Sequence, residues 1–257
     1  MQNTVTNKLQ NINDVINKVK VNEQNDSKDV KFNTKELALF DLDHTLLDVD
    51  SDYLWGEYIV KKGLVDEAQY RTANQRFYQQ YIEGTLDAIE YNEFVAEFLT
   101  TLPLQRLFEI REDYINIEIM PHIRPKAIKA IKHHIDAGHD VVIISATNDF
   151  VVSEIAKRFG IEAANVLATP LEVKDNRYTG KLTDKPNFKE GKIYHLNKWL
   201  ALKEQQGTRY SKTYGYSDSK NDLPLLEWAD IPVAVTPDEV LHAHALAHRW
   251  AVEDWSI

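Results

Sequence analysis

The chain has 257 residues, of which 43% are hydrophobic, and it carries a formal net charge of −10 with a pI near 5.4. This acidic balance argues against nucleic-acid binding, which needs a basic face, and the absence of cysteine excludes disulfides, thiolate metal sites and a cysteine nucleophile. No apolar stretch approaches the roughly 20 residues that cross a bilayer, and the N-terminus lacks the apolar core of a secretory signal. We therefore expect a soluble, cytoplasmic protein with no nucleic-acid or membrane partner.

Residues 1–34 form a polar extension rich in Asn, Lys, Asp and Gln. Five apolar residues within it fall three or four positions apart, as on one face of an amphipathic helix: Val5, Leu9, Ile12, Ile16 and Val19. This face carries no aromatic anchor. It therefore predicts a helix packed on the body, or a disordered tail, rather than a membrane-surface helix.

The body begins with a predicted strand and continues with a run of helices. The strand spans 37–41, and helical stretches follow at 51–63, 66–83, 86–100 and 104–118. From residue 125 onward helices and strands alternate. The predicted elements are helix 125–136, strand 141–144, helix 148–159, a hairpin with Asp175 and Asn176 at its tip, helix 190–205, strand 212–217, helix 221–228, strand 231–235 and a helix from about 237.

This alternation predicts an α/β fold with a Rossmann-like parallel sheet flanked by helices. The helices of 51–120 interrupt the alternation and predict an all-α cap inserted after the first core strand. We therefore divide the chain into the extension 1–34, a catalytic core of 35–50 and 121–257, and the cap 51–120. The cap should lie over the carboxyl ends of the strands, where open α/β sheets bind ligands.

Two acidic residues, Asp41 and Asp43, directly follow the apolar run Leu37-Ala38-Leu39-Phe40. Burying an unpaired carboxylate costs several kcal/mol, so such a pair needs a cation and a chemical task. A carboxylate nucleophile with a neighbouring general acid/base, both held against Mg²⁺, meets that need. The alternative is an Asp-rich turn after a strand.

Polar residues also mark the later strand ends. Ser145 follows Val141-Val142-Ile143-Ile144, Asp218 follows Thr213-Tyr214-Gly215-Tyr216-Ser217, and Asp222 opens the next helix. Lys192 lies near the start of the helix between these strands. Parallel strands end at one edge of a sheet, so these residues are candidates for a single site.

Four segments resemble the motifs of haloacid dehalogenase-like phosphatases, in the order of that family: Asp41-Leu42-Asp43-His44-Thr45, the apolar run ending at Ser145, Lys192, and Gly215-Tyr216-Ser217-Asp218-Ser219-Lys220-Asn221-Asp222. The resemblance covers about residues 36–236. The helical insertion between the first two motifs resembles the phosphoserine-phosphatase-like branch, subfamily IB.

The resemblance implies that Asp41 attacks phosphorus and forms an aspartyl-phosphate, while Asp43 protonates the leaving group and later activates water. It implies Mg²⁺ as cofactor, held by Asp41, the main-chain carbonyl of Asp43 and Asp218, with Asp222 beside them or in place of one. Asp218 and Asp222 could instead cap the following helix.

For the phosphoryl group, the resemblance implies a hydrogen bond from Ser145 and charge compensation by Lys192. Lys189 is the alternative to Lys192, since several lysines lie nearby. Ser145 is followed by Ala146, where phosphoserine phosphatases usually have a glycine pair.

The substrate indications are weaker and come from the cap. Asp50 occupies the position of the acid that binds the substrate amine in phosphoserine phosphatases, although helix capping by Asp50 or Ser51 is an equal alternative. The stretch 84–100 contains no arginine to bind a substrate carboxylate, which disfavours phosphoserine.

Segments 50–57, 145–151 and 231–235 resemble members of this branch assigned as histidinol-phosphatases. Tyr53, Trp55 or Phe150 could stack on an imidazole, or simply pack in the core. We therefore expect hydrolysis of a small phosphorylated metabolite, with histidinol phosphate preferred. Phosphoserine hydrolysis and phosphotransfer remain alternatives, and a non-catalytic phosphate-binding module is disfavoured by the intact acidic residues.

Overall fold

The computed structural model describes residues 32–257, so the predicted apolar face of residues 5–19 lies outside the described residues. Its strands are β1 (Asn33–Phe40), β2 (Asp140–Asn148), β3 (Val166–Thr169), β4 (Leu171–Lys174), β5 (Arg177–Leu182), β6 (Thr208–Ser217), β7 (Ile231–Val235) and β8 (Ala251–Glu253). Six of them form one parallel sheet in the order β3-β2-β1-β6-β7-β8, while β4 and β5 form an antiparallel hairpin. The predicted α/β fold with a parallel sheet is confirmed.

Helices cover the sheet and fill the chain between its first two strands. They are α1 (Ser51–Lys61), α2 (Glu67–Glu83), α3 (Ala88–Thr100), α4 (Leu104–Tyr114), α5 (Pro125–Asp136), α6 (Asp149–Arg158), α7 (Glu190–Gln205), α8 (Leu223–Trp228) and α9 (Glu239–His248). We call α1 to α4 the helical cap; they follow β1 as the sequence predicts. Among the described residues, none of these helices combines the length and apolarity that a membrane crossing requires. The predicted division into three segments stays a prediction.

Strands β3 and β8 were not predicted, and three predicted strands are longer than expected. Both missed strands are short, and β8 is exposed along its whole length, so neither has a strong apolar signal. The predicted helix 104–118 ends its α-helical part at Tyr114 and continues as a π-helical turn, Ile115–Ile119. The hairpin tip is where the sequence predicts it, because Asp175 and Asn176 both adopt positive φ.

The apolar run of the first strand is buried on both faces of the sheet. Leu37, Leu39 and their neighbours pack with Leu196 and Trp199 of α7 on one side of the sheet. Ala38 and Phe40 pack on the opposite side, because alternate side chains of a strand point to opposite faces. A parallel sheet covered by helices on both faces therefore buries every residue of this run.

The strand register decides which residues meet at the site. Phe40 is paired with Ile143 of β2 and with Tyr216 of β6, and the rings of Phe40 and Tyr216 stack 4.4 Å apart. The residues that follow these three positions therefore come together at the carboxyl edge of the sheet. Asp41 extends the pairing of β1 with β6 by one residue, since its N–H donates to the Tyr216 carbonyl at 3.0 Å.

Candidate active site

Asp41 and Lys192 form the centre of the site. Lys192 Nζ lies 2.7 Å from Asp41 Oδ1 and 2.7 Å from Asp222 Oδ2, and all three residues are buried. Burial disfavours the ammonium, but attraction by Asp222 and Asp41 outweighs it and raises the pKa of Lys192. Burial raises the pKa of Asp41 to about 7, with Lys192 lowering it and Asp222 and Asp43 raising it further.

The alternative lysine is directed elsewhere. Lys189 Nζ lies 3.3 Å from the carbonyl oxygen of Gly84, at the end of α2. Lys192 reaches Asp41 because it lies in the first turn of α7, where Gly191 allows a close turn. A Cβ on Gly191 would lie 2.1 Å from the Pro186 carbonyl oxygen, so this turn requires glycine.

Thr45 contacts two of the acidic residues, Asp41 and Asp218. Its hydroxyl lies 3.1 Å from Asp41 Oδ2 and 3.1 Å from Asp218 Oδ1, and it accepts a hydrogen bond from the Asp218 N–H. Burial, followed by repulsion from Asp41 and Asp222, raises the pKa of Asp218 well above its ordinary value. These contacts make Thr45, the last residue of the first motif, part of the site.

Asp43 is held by both the cap and the core. Its Oδ1 accepts the N–H of Ser51, the first residue of α1, at 2.7 Å. Its Oδ2 accepts the Thr147 hydroxyl at 2.8 Å and lies 3.4 Å from the Ser145 hydroxyl. Two short contacts fix the orientation of this carboxyl group, as a general acid/base requires.

Ser145 and Asp222 also lie at this edge. Ser145 is fully buried, and its hydroxyl accepts the Thr147 N–H at 3.1 Å. Asp222 accepts the Ser217 hydroxyl at 2.7 Å in addition to the Lys192 ammonium. The structure thus brings together every predicted residue of the core, although their chemical roles stay predictions.

The donor set suits a hard cation. Among residues 32–257 no three His, Cys, Asp or Glu side chains are arranged as a metal cluster. The predicted set, however, combines two carboxylates with a main-chain carbonyl. Asp41 and Asp218 share the Thr45 hydroxyl, and the pKa of each is raised mainly by burial and also by neighbouring acids. The ammonium of Lys192 balances only part of the charge of these crowded carboxylates. Their oxygens therefore fit Mg²⁺, which prefers hard oxygen ligands.

A pocket lies between this edge and the helical cap. Its acidic residues are Asp43, Asp50 and Asp52, and its aromatic residues are Tyr53, Phe77, Tyr78, Tyr81, Tyr91 and Phe188. Asn74 and Asn92 add two buried amides. No Lys, Arg or His is among the described residues that line it. The pocket is therefore aromatic and acidic.

Asp50 both caps a helix and lines this pocket. Its Oδ1 accepts the N–H groups of Asp52 at 2.9 Å and Tyr53 at 2.8 Å, which is N-cap geometry for α1. Burial and repulsion from Asp43 raise its pKa to about 6, although the two N–H groups lower it. The two alternatives for Asp50 are thus compatible, and Ser51 is not the cap residue.

The three aromatic residues that could stack on an imidazole, Tyr53, Trp55 and Phe150, lie in different environments. Trp55 and Phe150 are buried in the core, with ring centroids 5.5 Å apart, and neither lines the pocket. Tyr53 lines it. Trp55 and Phe150 therefore pack in the core, which is one of the two alternatives that the sequence left open, because both are covered by other side chains.

Thr147 was not identified as a site residue from the sequence. It lies two positions after Ser145 on β2, and side chains two apart share a face of a strand. The two-residue spacing from Ser145 could have indicated that Thr147 also faces the site. Asn187 was also missed: its Nδ2 donates to the Ser145 and Leu167 carbonyls at 2.8 Å each, and it anchors the loop before α7. Nothing local in the sequence indicates this contact.

A parallel α/β sheet with carboxylates at the ends of β1 and β6 is typical of enzymes that act at the carboxyl edge of the sheet. A family model of haloacid dehalogenase-like hydrolases matches residues 38–227. The chain is 42% identical over 219 residues to histidinol-phosphatase of Neisseria meningitidis serogroup C (strain 8013), covering 85% of this chain and 98% of that protein. The chain therefore belongs to the haloacid dehalogenase-like hydrolase family, as the sequence predicts, and it is an enzyme.

Solved structures support the same fold. A protein of unknown function from Bordetella pertussis Tohama I has a TM-score of 0.81 and 37% identity, covering 87% of this chain and 100% of that one. A phosphoserine phosphatase solved as a phospho-aspartyl intermediate analogue has a TM-score of 0.58 and 20% identity, covering 87% and 95%. At that identity the second likeness bears on the fold alone.

Proposed function

We propose that this protein is a Mg²⁺-dependent phosphomonoesterase that hydrolyses an amino-alcohol phosphate, with histidinol phosphate as the preferred substrate. The observation that carries the substrate choice is the acidic, aromatic pocket, whose lining within residues 32–257 includes no cationic side chain. An ammonium or imidazolium group is stabilised by carboxylates and aromatic rings. A substrate carboxylate, as in phosphoserine, is repelled there. The name of the Neisseria relative agrees with this choice.

In the first half-reaction an Asp41 oxygen attacks phosphorus, and the bond from phosphorus to the substrate oxygen breaks. Asp43 gives its proton to the leaving alkoxide and becomes a carboxylate. Lys192 compensates the negative charge that Asp41 shares with the phosphoryl group, and Ser145 donates a hydrogen bond to a phosphoryl oxygen.

In the second half-reaction Asp43 takes a proton from water, which attacks the phosphorus of the aspartyl-phosphate. The Asp41–phosphorus bond breaks, and inorganic phosphate leaves. The contacts of Asp43 with Ser51 N–H and the Thr147 hydroxyl keep its carboxyl group aimed in both steps. Asp41, the Asp43 carbonyl and Asp218 would hold Mg²⁺, with Asp222 beside them; the bound ion supplies Lewis-acid charge stabilisation.

The test compares substrates and variants with Mg²⁺ present. We expect kcat/KM for histidinol phosphate to exceed that for phosphoserine at least tenfold, because the described lining of the pocket is acidic and would repel a substrate carboxylate. Asp41→Asn should lower hydrolysis of both substrates and of p-nitrophenyl phosphate by about 1,000-fold or more, since an amide is not a nucleophile.

Asp48→Asn is the matched control, because Asp48 lies in the same segment and pairs with His122 outside the site. It should retain activity. Equal or better hydrolysis of phosphoserine would overturn the substrate proposal, and activity retained in Asp41→Asn would overturn the mechanism.

A further inference from the structure

The pocket contains a second carboxylate, Asp52, for which the steps above have no role. Asp52 lies in the first turn of α1 and is 4% exposed. Its Oδ1 accepts a hydrogen bond from Asn148 Nδ2 at 3.1 Å. Burial and repulsion from Asp50 raise its pKa well above the ordinary value, and the Tyr91 hydroxyl offsets part of this rise. A carboxylate in this environment is costly unless a ligand compensates it.

An independent observation at the same pocket is the unpartnered oxygen of Asn92. This residue is 3% exposed and lines the pocket. Its Nδ2 donates to the Ala88 carbonyl at 2.7 Å, which fixes the orientation of the amide. Its Oδ1 is buried and has no hydrogen-bond partner within residues 32–257. A buried acceptor of this kind costs about 1–3 kcal/mol unless a donor reaches it, and native structures contain few.

Aromatic rings line the same pocket as these two acceptors. Phe77 of α2 and Tyr91 of α3 line the pocket with centroids 5.3 Å apart in edge-to-face geometry. Asp50, which the family resemblance assigns to the substrate amine, lines the same pocket two residues before Asp52. The lining thus contains one acceptor predicted to bind an amine, two further acceptors for N–H donors, and aromatic rings.

We propose that Asp52 and Asn92 form a second nitrogen-binding subsite, which accepts hydrogen bonds from the ring N–H groups of a cationic heteroaromatic substituent on the substrate. The inference rests on the proposed function, because Asp50 must bind the amine and the core must bind the phosphate. An imidazolium ring has the required chemistry: two N–H donors, a positive charge and flat faces that pack on Phe77 and Tyr91. Selectivity for the ring comes from acceptors that are left unpaired by other substrates.

The experiment measures a substrate ratio with the full chain and Mg²⁺. Histidinol phosphate is compared with phenylalaninol phosphate, which has the same amine and phosphate but a ring without N–H donors. The ratio of the two kcat/KM values should fall about 10- to 100-fold in Asp52→Asn, the range for losing a hydrogen bond to a charged group. The asparagine oxygen still accepts from Asn148, so the contact between cap and core is kept.

Asn92→Leu separates a binding role from a structural one. It should lower the same ratio while leaving the melting temperature unchanged or higher, because it removes a buried unsatisfied oxygen. A structural role predicts a lower melting temperature and an equal loss for both substrates. Asp87→Asn is the matched control: it removes one charge at the exposed start of α3, keeps the helix cap and should leave the ratio unchanged.

The outcomes distinguish this inference from the proposed function. If the unmodified enzyme does not favour histidinol phosphate over phosphoserine, the proposed function fails, and the subsite with it. If it does, but Asp52→Asn and Asn92→Leu keep the wild-type ratio or lose activity equally on both amino-alcohol phosphates, only the subsite is overturned. A reduced ratio in both variants, with Asp87→Asn unchanged, supports it.

Discussion

The Asp41 carboxyl group is buried, and both its burial and the charges of its neighbours shift its pKa. Burial raises the pKa of Asp41 to about 7; Lys192 at 2.7 Å offsets part of this rise, whereas Asp222 and Asp43 add to it. A metal cation would shift this balance toward the carboxylate, which is the nucleophilic form. Binding of a cation would therefore favour the charged form of the proposed nucleophile.

Thr147 orients Asp43, and its hydroxyl can be tested alone. Thr147→Val should lower kcat about tenfold with a smaller change in KM, because the proton-transferring carboxyl group loses its 2.8 Å contact. Steady-state hydrolysis of p-nitrophenyl phosphate checks this. Thr147→Ser keeps the hydroxyl and is the matched control. Equal kcat values for the two variants would contradict a positioning role.

His134 is a buried histidine outside the site whose titration affects stability. Its Nε2 lies 2.9 Å from the Tyr216 hydroxyl and its Nδ1 lies 2.8 Å from His139 Nδ1. Burial, with smaller contributions from His139 and His133, lowers the pKa of His134 from 6.5 to about 4. Between these values the unfolded chain binds a proton that the folded chain does not, so stability falls as the pH falls.

We expect His134→Gln to flatten this dependence. From pH 6.5 to pH 4 the unfolding free energy of the wild type should decrease by up to about 3 kcal/mol more than that of the variant, from the size of the pKa shift. Urea titrations of metal-free protein across this range measure the difference. His133→Gln, on the same helix, is the control. Parallel curves for wild type and His134→Gln would exclude the linkage.

At the scale of elements, the N-terminus of α1 contacts both the core and the pocket. Asp50 caps the helix, Ser51 N–H binds Asp43, and Asp52 faces the pocket. The first turn of a helix has unpaired N–H groups and a positive dipole end, so it stabilises nearby carboxylates. The same three residues therefore join the start of the cap to the acidic residues of the core.

Two substitutions of Asp50 separate its two roles. Asp50→Ser keeps an N-cap acceptor, so its unfolding free energy should stay within about 0.5 kcal/mol of wild type, while Asp50→Ala should lose about 1 kcal/mol. Both should lose at least tenfold in kcat/KM for an amino-alcohol phosphate relative to p-nitrophenyl phosphate, because both lack the carboxylate. Urea denaturation and steady-state kinetics give the two readouts. Amine selectivity retained in Asp50→Ser would show that Asp50 serves only as a cap.

At the scale of the whole molecule, metal binding should be coupled to folding. A ligand that binds only the folded state at about 100 times its Kd stabilises by about 2.7 kcal/mol. Mg²⁺ should therefore raise the melting temperature of the wild type. Asp218→Asn should abolish this rise, yet melt at or above the wild-type temperature in EDTA, because it removes repulsion with Asp41 and Asp222. Thermal unfolding with and without Mg²⁺ tests both expectations.

Asp175→Asn is the control for this prediction, since Asp175 lies at the exposed hairpin tip. It should keep the full response to Mg²⁺. An undiminished response in Asp218→Asn would place the metal elsewhere.

The sequence by itself determined the parallel α/β fold, the helical insertion and the family, because apolar runs, helix ends and short motifs are local patterns. It also brought Asp41, Asp43, Ser145, Asp218 and Asp222 into one candidate site, since parallel strands end at a common edge. Strands β3 and β8 were not predicted, because a short or exposed strand has little apolar pattern.

Only the tertiary structure decided which side chains meet. It placed Lys192 rather than Lys189 beside Asp41 and the Thr147 hydroxyl beside Asp43. It also left the Oδ1 of Asn92, a pocket-lining residue, without a hydrogen bond from any described residue. These contacts join residues far apart in the chain, and they depend on strand register, on the turn at Gly191 and on how the cap packs over the sheet. Such distances are set by the packing of the whole molecule, and a local pattern of residues does not contain them.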